Sequence, residues 1–290
     1  MRIMKYFALM RVKHYIKNLI IFLPAMLTLS LKNWQILAAN VKGFIIFSLS
    51  ASIIYIFNDI KDFESDRKHP LKSSRPIASG KVSLSEAKFI IFLLVCAIIA
   101  LLWSESFRAK YILWPLIYII INILYSAYLK NFPLIDVAAL SSCYVIRLWY
   151  GAALTECGIS NWMSLTMISV SFFMGFGKRR NELIQYGKSM RKSLKGYSAN
   201  FLDKSLQIML TSSIIFYSLM CADEKTFVAR AGINLLWTVP FVIVICLRYL
   251  MLVENAASDG DPTSIILHDK ILIILCFGYI FSVGARLYFV

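Results

Sequence analysis

The stretch Phe44-Ile45-Ile46-Phe47-Ser48-Leu49-Ser50-Ala51-Ser52-Ile53-Ile54-Tyr55-Ile56-Phe57 runs straight into Asn58-Asp59-Ile60-Lys61-Asp62-Phe63-Glu64-Ser65-Asp66. An uncharged apolar run that gives way at once to four acids is what a helix looks like when it leaves hydrocarbon for water. Crossing the hydrocarbon takes roughly 20 helical residues, and the run together with its lead-in at 41–43 approaches that length.

The same reading extends outward along the chain. Apolar runs at 15–31, 41–58, 86–103, 111–129, 134–155, 161–177, 205–222, 233–250 and 269–288 predict an all-α, polytopic membrane protein of about nine transmembrane helices. Composition agrees, with 59% hydrophobic and only 16% charged residues among 290, far less charge than a water-soluble surface needs. No internal repeat or linker divides the chain, so residues 1–290 are expected to form one membrane domain. The apolar run that follows the basic N-terminus has no small-residue cleavage site after it and is read as a retained first helix.

The net charge of +15 does not point to nucleic acid, because its Lys and Arg residues cluster in alternate loops. Arg2, Lys5, Arg11, Lys13 and Lys17 precede the first span. Lys61, Arg67, Lys68, Lys72, Arg75 and Lys81 lie between the second and third. Lys178, Arg179, Arg180, Lys188, Arg191, Lys192, Lys195 and Lys204 lie between the sixth and seventh. The remaining loops hold few cations, such as Lys32, Lys42, Arg108, Lys110, Lys225 and Arg230. Positive loops stay inside, so the N-terminus and both long basic loops are expected on the cytoplasmic side of the cell membrane. The scattered cysteines form no CxxC pair and read as small buried hydrophobes. The three histidines have no zinc-ligand spacing.

On one continuous helix Asp59, Asp62 and Asp66 share a face, with Asn58 beside them. Like charges so placed repel unless a cation sits among them. Mg²⁺ suits this arrangement because it takes carboxylate oxygens while keeping positions for water and substrate phosphate. The plainer alternative is a solvated acidic loop paired to Lys61, Arg67 and Lys68. Arg75, held extended by Pro76, offers a fork that grips phosphate through two bonds, or else serves as a topological anchor. Arg147 lies deep in an apolar span, where an unpaired arginine costs at least about 2.5–3.5 kcal/mol. Asp136 shares its helix face but stands about 16 Å away along the axis, so direct pairing is not expected. Arg147 then either pairs with another span or reaches a phosphate at the base of a cavity. Lys178 has Glu182 four residues on, a spacing that pairs them.

Asn58-Asp59-x-x-Asp62-x-x-x-Asp66 followed by Arg75-Pro76-Ile77-Ala78-x-Gly80 resembles the first aspartate-rich motif of the UbiA superfamily of intramembrane prenyltransferases. The aromatic prenyltransferases of that superfamily carry a second acidic motif after a later helix. Here that place reads Gly175-Phe176-Gly177-Lys178-Arg179-Arg180-Asn181-Glu182-Leu183, basic instead of acidic. In this the chain is similar to the decaprenyl-phosphate phosphoribosyltransferase branch, as it is at Lys17-Asn18, Ser142 to Arg147, Arg191-Lys192-Ser193-Leu194 with Tyr197, Leu247-Arg248-Tyr249 and Gly260-Asp261-Pro262. The resemblance implies a UbiA-like bundle with a cytoplasm-facing cavity and Mg²⁺-dependent transfer of phosphoribose from 5-phosphoribosyl diphosphate to a polyprenyl phosphate. It also implies a product destined for cell-envelope glycan synthesis. Asn58, Asp59, Asp62 and Asp66 would hold the metal; Lys17, Asn18, Arg75, Arg147, Lys178, Arg179 and Glu182 would handle phosphate. Asp259-Gly260-Asp261-Pro262 offers either a second acidic contact, to a ribose hydroxyl or metal, or only an ordinary turn. Rival readings are a UbiA-type aromatic prenyltransferase using a polyprenyl diphosphate, and an anion or lipid transporter. A homo-oligomer is left open.

Overall fold

A computed structural model describes residues 4–68, 72–103, 109–224, 226, 232–255 and 262–288, with backbone alone at 262–264. Arg2, Arg108, Lys225, Arg230, Asp259, Gly260 and Asp261, all drawn on above, lie outside the described residues, as does His69, one of the three histidines. The described residues are mostly helical and contain no strand. Eight long helices dominate: α1 (Trp34–Lys61), α2 (Leu84–Trp103), α3 (Ala109–Ala127), α4 (Ile135–Thr155), α5 (Asn161–Tyr186), α6 (Ala199–Ala222), α7 (Val239–Glu254) and α8 (Lys270–Tyr288).

Seven of the eight are long and apolar enough to cross a membrane, α7 together with its preceding turn from Leu236. The eighth, α5, runs well past the expected end at 177 and carries Lys178, Arg179, Arg180 and Glu182 in its last turns. The chain is a multi-pass membrane protein. The expected count of nine spans is not met among the described residues, because 15–31 is not one helix. It breaks into a 3₁₀ segment (Val12–Phe22), a short α-turn (Leu23–Leu27) and a further 3₁₀ turn (Ser30–Lys32). Pro24 sits at the start of the α-turn, and Arg11 and Leu29 take left-handed φ values of 53° and 58° on either side. Buried Asn18 also turns inward to bond Ser48 on α1.

Side-chain caps set the helix starts. Asn33 accepts from Gln35 N at α1, and Ser198 accepts from Phe201 N at α6. Ser83 and Glu86 form a reciprocal capping box at α2, with bonds of 3.1 and 2.7 Å. Helix α2 lies at the periphery and shows Phe89, Phe92, Leu93 and Ile99 outward, as a lipid-facing span does. Cys96 is exposed on that helix, contrary to the expectation that every cysteine is buried.

Two of the four apolar clusters among the described residues join the central helices. Phe47, Ile54, Tyr118, Ile146 and Tyr150 join α1, α3 and α4. Val137, Phe173, Phe176, Leu206, Tyr249 and Val253 join α4, α5, α6 and α7. The N-terminal segment reaches α4 because Gly151 has no side chain: a Cβ there would stand 2.0 Å from the Ile21 carbonyl oxygen. That approach brings Lys17 and Asn18 to the bundle interior.

Candidate active site

Helix α1 stops at Lys61, Asp62 caps it outside helical geometry, and a new short helix covers Phe63–Lys68. This break redistributes the carboxylates that one continuous helix would have lined up. Asp59 and Asp66 are both buried at 2% exposure and converge on a single nitrogen: Arg75 Nη1 donates to Asp59 Oδ1 at 3.1 Å and to Asp66 Oδ2 at 2.6 Å. Arg11 Nη2 donates to the same Asp59 oxygen at 2.6 Å. Arg75 is aimed by the turn that follows it, where Ser79 N bonds Arg75 O at 2.8 Å and Gly80 takes a φ of 75°. Lys72 lies nearby, its ammonium held below the usual lysine range by burial and then by the Arg75 charge.

Among the described residues, no group of three His, Cys, Asp or Glu side chains stands close enough to hold one metal ion. The expected trio therefore reduces to the Asp59–Asp66 pair. Asn58 is turned toward α3, its Oδ1 accepting from Ser126 Oγ at 2.7 Å. The pair still fits a divalent cation: two carboxylates already share one cationic nitrogen, and Mg²⁺ is commonly bound by one or two carboxylates with water and phosphate completing its shell.

Beside the pair lies a cavity of about 180 Å³ whose wall includes Arg11, Lys17, Arg147 and Lys178, with Tyr55 and Tyr118. The structure thus brings together three of the phosphate candidates, each from a different element, and adds Arg11. Arg147, 3% exposed on α4, donates through Nε to Asn18 Oδ1 at 2.7 Å and through Nη1 to the Cys143 carbonyl at 2.6 Å. Its guanidinium stands over the rings of Phe47, Tyr118 and Tyr144 at 4.8–5.7 Å. Among the described residues no carboxylate pairs with it. A buried cation satisfied by neutral acceptors and π faces retains its charge for an anion in the cavity.

Arg179 is placed differently. It is fully buried, donates to Glu182 Oε2 at 2.6 Å and to Tyr125 Oη at 3.0 Å, and its Nε forms an ion pair with Asp136 Oδ2 at 2.6 Å without hydrogen-bond alignment. Asp136 also accepts from Ser193 Oγ and Tyr197 Oη. Arg191 donates to Tyr125 Oη at 2.8 Å and lies 3.7 Å from Glu182. Glu182 is held by its i,i+3 neighbour Arg179 and approached by Arg191, and the charge of Lys178, the partner that sequence spacing pointed to, acts on it as well. The network ties α3, α4 and α5 to the loop before α6. Arg11 and Tyr125 had no local signal of their own and gain their place only through tertiary contact; Arg191 was marked in sequence only by the resemblance of the segment 191–194.

An all-helical polytopic bundle with a carboxylate pair and a cation-lined cavity at one end of its helices defines the class. Residues 18–264 match the family model of the UbiA prenyltransferase family, and the chain belongs to that family. It is 32% identical over 262 residues to the decaprenyl-phosphate phosphoribosyltransferase of Mycobacterium tuberculosis, covering 88% of this chain and 83% of the relative. It is 31% identical to the protein of that name from Mycolicibacterium smegmatis, covering 96% and 91%. A UbiA homolog from Archaeoglobus fulgidus, solved with DMAPP and Mg²⁺, superposes with a TM-score of 0.71 over 99% of this chain and 100% of that one, at 17% identity. That likeness speaks to the fold.

Proposed function

We propose that this protein transfers 5-phosphoribose from 5-phosphoribosyl diphosphate to a polyprenyl phosphate, releasing diphosphate, at the cytoplasmic face of the cell membrane and with Mg²⁺. The carrying observation is Arg147, a buried arginine without a carboxylate partner among the described residues, sharing a cavity wall with Lys17, Lys178 and Arg11. Four cations around one small cavity suit two phosphate-bearing substrates better than one anion and a neutral aromatic. The phosphoribosyltransferases at 31–32% identity support the reading, as do UbiA neighbours solved with Mg²⁺.

In this proposal the donor's diphosphate lies against Asp59, Asp66 and Arg75, with Asn58 and Asp62 at the edge. A divalent cation bound there supplies charge neutralisation for the departing diphosphate. Arg75 and Arg11, already beside the carboxylates, turn their guanidinium groups to the oxygens that gain charge as the bond from the anomeric carbon to diphosphate breaks. Lys17, Arg147 and Lys178 hold the lipid phosphate, and one of its oxygens forms the new bond to that carbon from the opposite side, inverting it. A phosphate oxygen is anionic at neutral pH, so no general base is required. Arg179 and Glu182 act as positioning residues through the Asp136 network. The polyprenyl tail leaves between apolar spans into lipid.

A donor panel tests the assignment. Purified protein given polyprenyl phosphate should transfer labelled phosphoribose, while prenyl diphosphate with an aromatic acceptor should give nothing. Prenyl transfer in place of phosphoribosyl transfer would reverse the proposal.

A further inference from the structure

Near the end of α3, the half-buried Tyr125 hydroxyl accepts from two arginines, Arg179 Nη2 at 3.0 Å and Arg191 Nη1 at 2.8 Å. A neutral phenol has one proton and two lone pairs. With two cations donating to its oxygen, its own O–H must point away from them, and among the described residues nothing accepts it. Arg191 also has donors to spare. Its guanidinium carries five N–H groups and makes one hydrogen bond among the described residues, the one to Tyr125. Glu182 stands 3.7 Å from Arg191 Nε, beyond hydrogen-bond length, because its Oε2 is drawn to Arg179 at 2.6 Å.

The backbone fixes Arg191 where it stands. Leu194 N bonds Arg191 O at 3.1 Å as the 3₁₀ turn Lys192–Gly196 begins. Ser193 and Tyr197 then tie that turn to Asp136 at 2.9 and 2.7 Å. Lys192, Lys195 and Gly196 are exposed, so Arg191 enters from the aqueous side, whereas Arg147 projects from inside the bundle. Two lysines link Arg191 to the rest of the site. Lys72, its ammonium held low chiefly by burial, lies within electrostatic reach of Arg75, Asp66, Arg191 and Asp62. The charges of Arg191 and Lys178 both act on Glu182, and Lys178 lines the cavity.

We infer that Tyr125 and Arg191 bind the 5-phosphate of the sugar donor, an inference that rests on the phosphoribosyl reading above. The donor carries anions at both ends of its ribose, a diphosphate on C1 and a phosphate monoester on C5. The carboxylate pair and Arg75 take the first. The second is a terminal phosphate, whose three oxygens suit one hydroxyl donor and the free edge of a guanidinium fork. It reaches the protein from water, as Arg191 does. The pair thereby selects a phosphorylated sugar over one with a bare 5-hydroxyl.

The two halves of the donor serve as probes in the transfer assay with the full-length protein: ribose 5-phosphate carries the monoester alone, and diphosphate the leaving group alone. Ribose 5-phosphate should inhibit wild type in competition with the donor. Arg191→Gln and Tyr125→Phe should each weaken that inhibition about tenfold or more, as loss of a charge-assisted hydrogen bond does, and raise the donor KM in step. Inhibition by diphosphate and the KM for polyprenyl phosphate should stay within about twofold. If Arg191→Gln aggregates on gel filtration, Tyr125→Phe decides, since it keeps the ring and removes only the hydroxyl. Wild type indifferent to ribose 5-phosphate, or a folded variant that loses both inhibitors equally or loses the lipid instead, overturns the assignment while leaving phosphoribosyl transfer standing. Wild type that transfers no phosphoribose at all overturns both.

Discussion

Arg147 and Arg179 are both buried arginines in a membrane bundle, yet their surroundings assign them opposite behaviour. Arg179 is enclosed by Asp136, Glu182 and Tyr125. Removing one of its two carboxylates breaks a buried ion pair, at a cost of up to about 3–5 kcal/mol. Asp136→Asn should therefore lower the thermal midpoint measured in detergent by several degrees, and a midpoint equal to wild type would show the network to be slack. Arg147 has neutral partners and a cavity in front of it. Arg147→Met relieves a desolvation cost, so the midpoint should hold or rise while turnover with both substrates falls about 100-fold or more. A large drop in midpoint with unchanged KM would make Arg147 a structural residue. The sequence marked Arg147 as costly from its depth alone, but its Asn18 partner is 129 positions away and has no local signature.

At the scale of elements, the spans were readable because apolar runs near 20 residues have few other uses. What could not be read were the interruptions. The helix break at Asp62 turns three expected carboxylates into a converging pair. The broken segment from Val12 to Lys32 replaces the first expected span because Asn18 must face Ser48 and Arg147. Its seat on α4 depends on Gly151, where any Cβ meets the Ile21 carbonyl. Gly151→Val should cost about 1–3 kcal/mol by overpacking. It should also reduce activity beyond that loss, because the displaced segment carries Lys17 into the cavity wall and Asn18 onto Arg147. Chemical denaturation alongside initial rates separates the two effects; a folded variant with full activity would show that the segment's seat is irrelevant to the site.

Across the whole molecule, contacts between helix ends put the site on one face. Asn58 meets Ser126, and Arg179 meets Asp136 and Tyr125, joining the end of α1, the ends of α3 and α5 and the start of α4. Lys110 and Glu156 join the opposite ends of α3 and α4. The clustering of Lys and Arg in alternate loops was visible in sequence for the same reason that it orients the protein: charge is retained on one side of the bilayer. With the native cysteines replaced, Lys188→Cys should resist an impermeant maleimide in intact cells and react in inverted vesicles. Labelling in intact cells would put the site on the other side.

In the proposed reaction a carboxylate pair and a cation-lined cavity act together on two phosphates. Transfer of labelled phosphoribose from 5-phosphoribosyl diphosphate to polyprenyl phosphate, followed in nanodiscs with Mg²⁺, with chelator, and with Asp66→Asn, probes that directly. Product should form with Mg²⁺, be absent with chelator and return when Mg²⁺ is restored, and the variant should lose at least 100-fold. Undiminished transfer in chelator, or a fully active Asp66→Asn protein, would rule out a metal-bearing carboxylate pair.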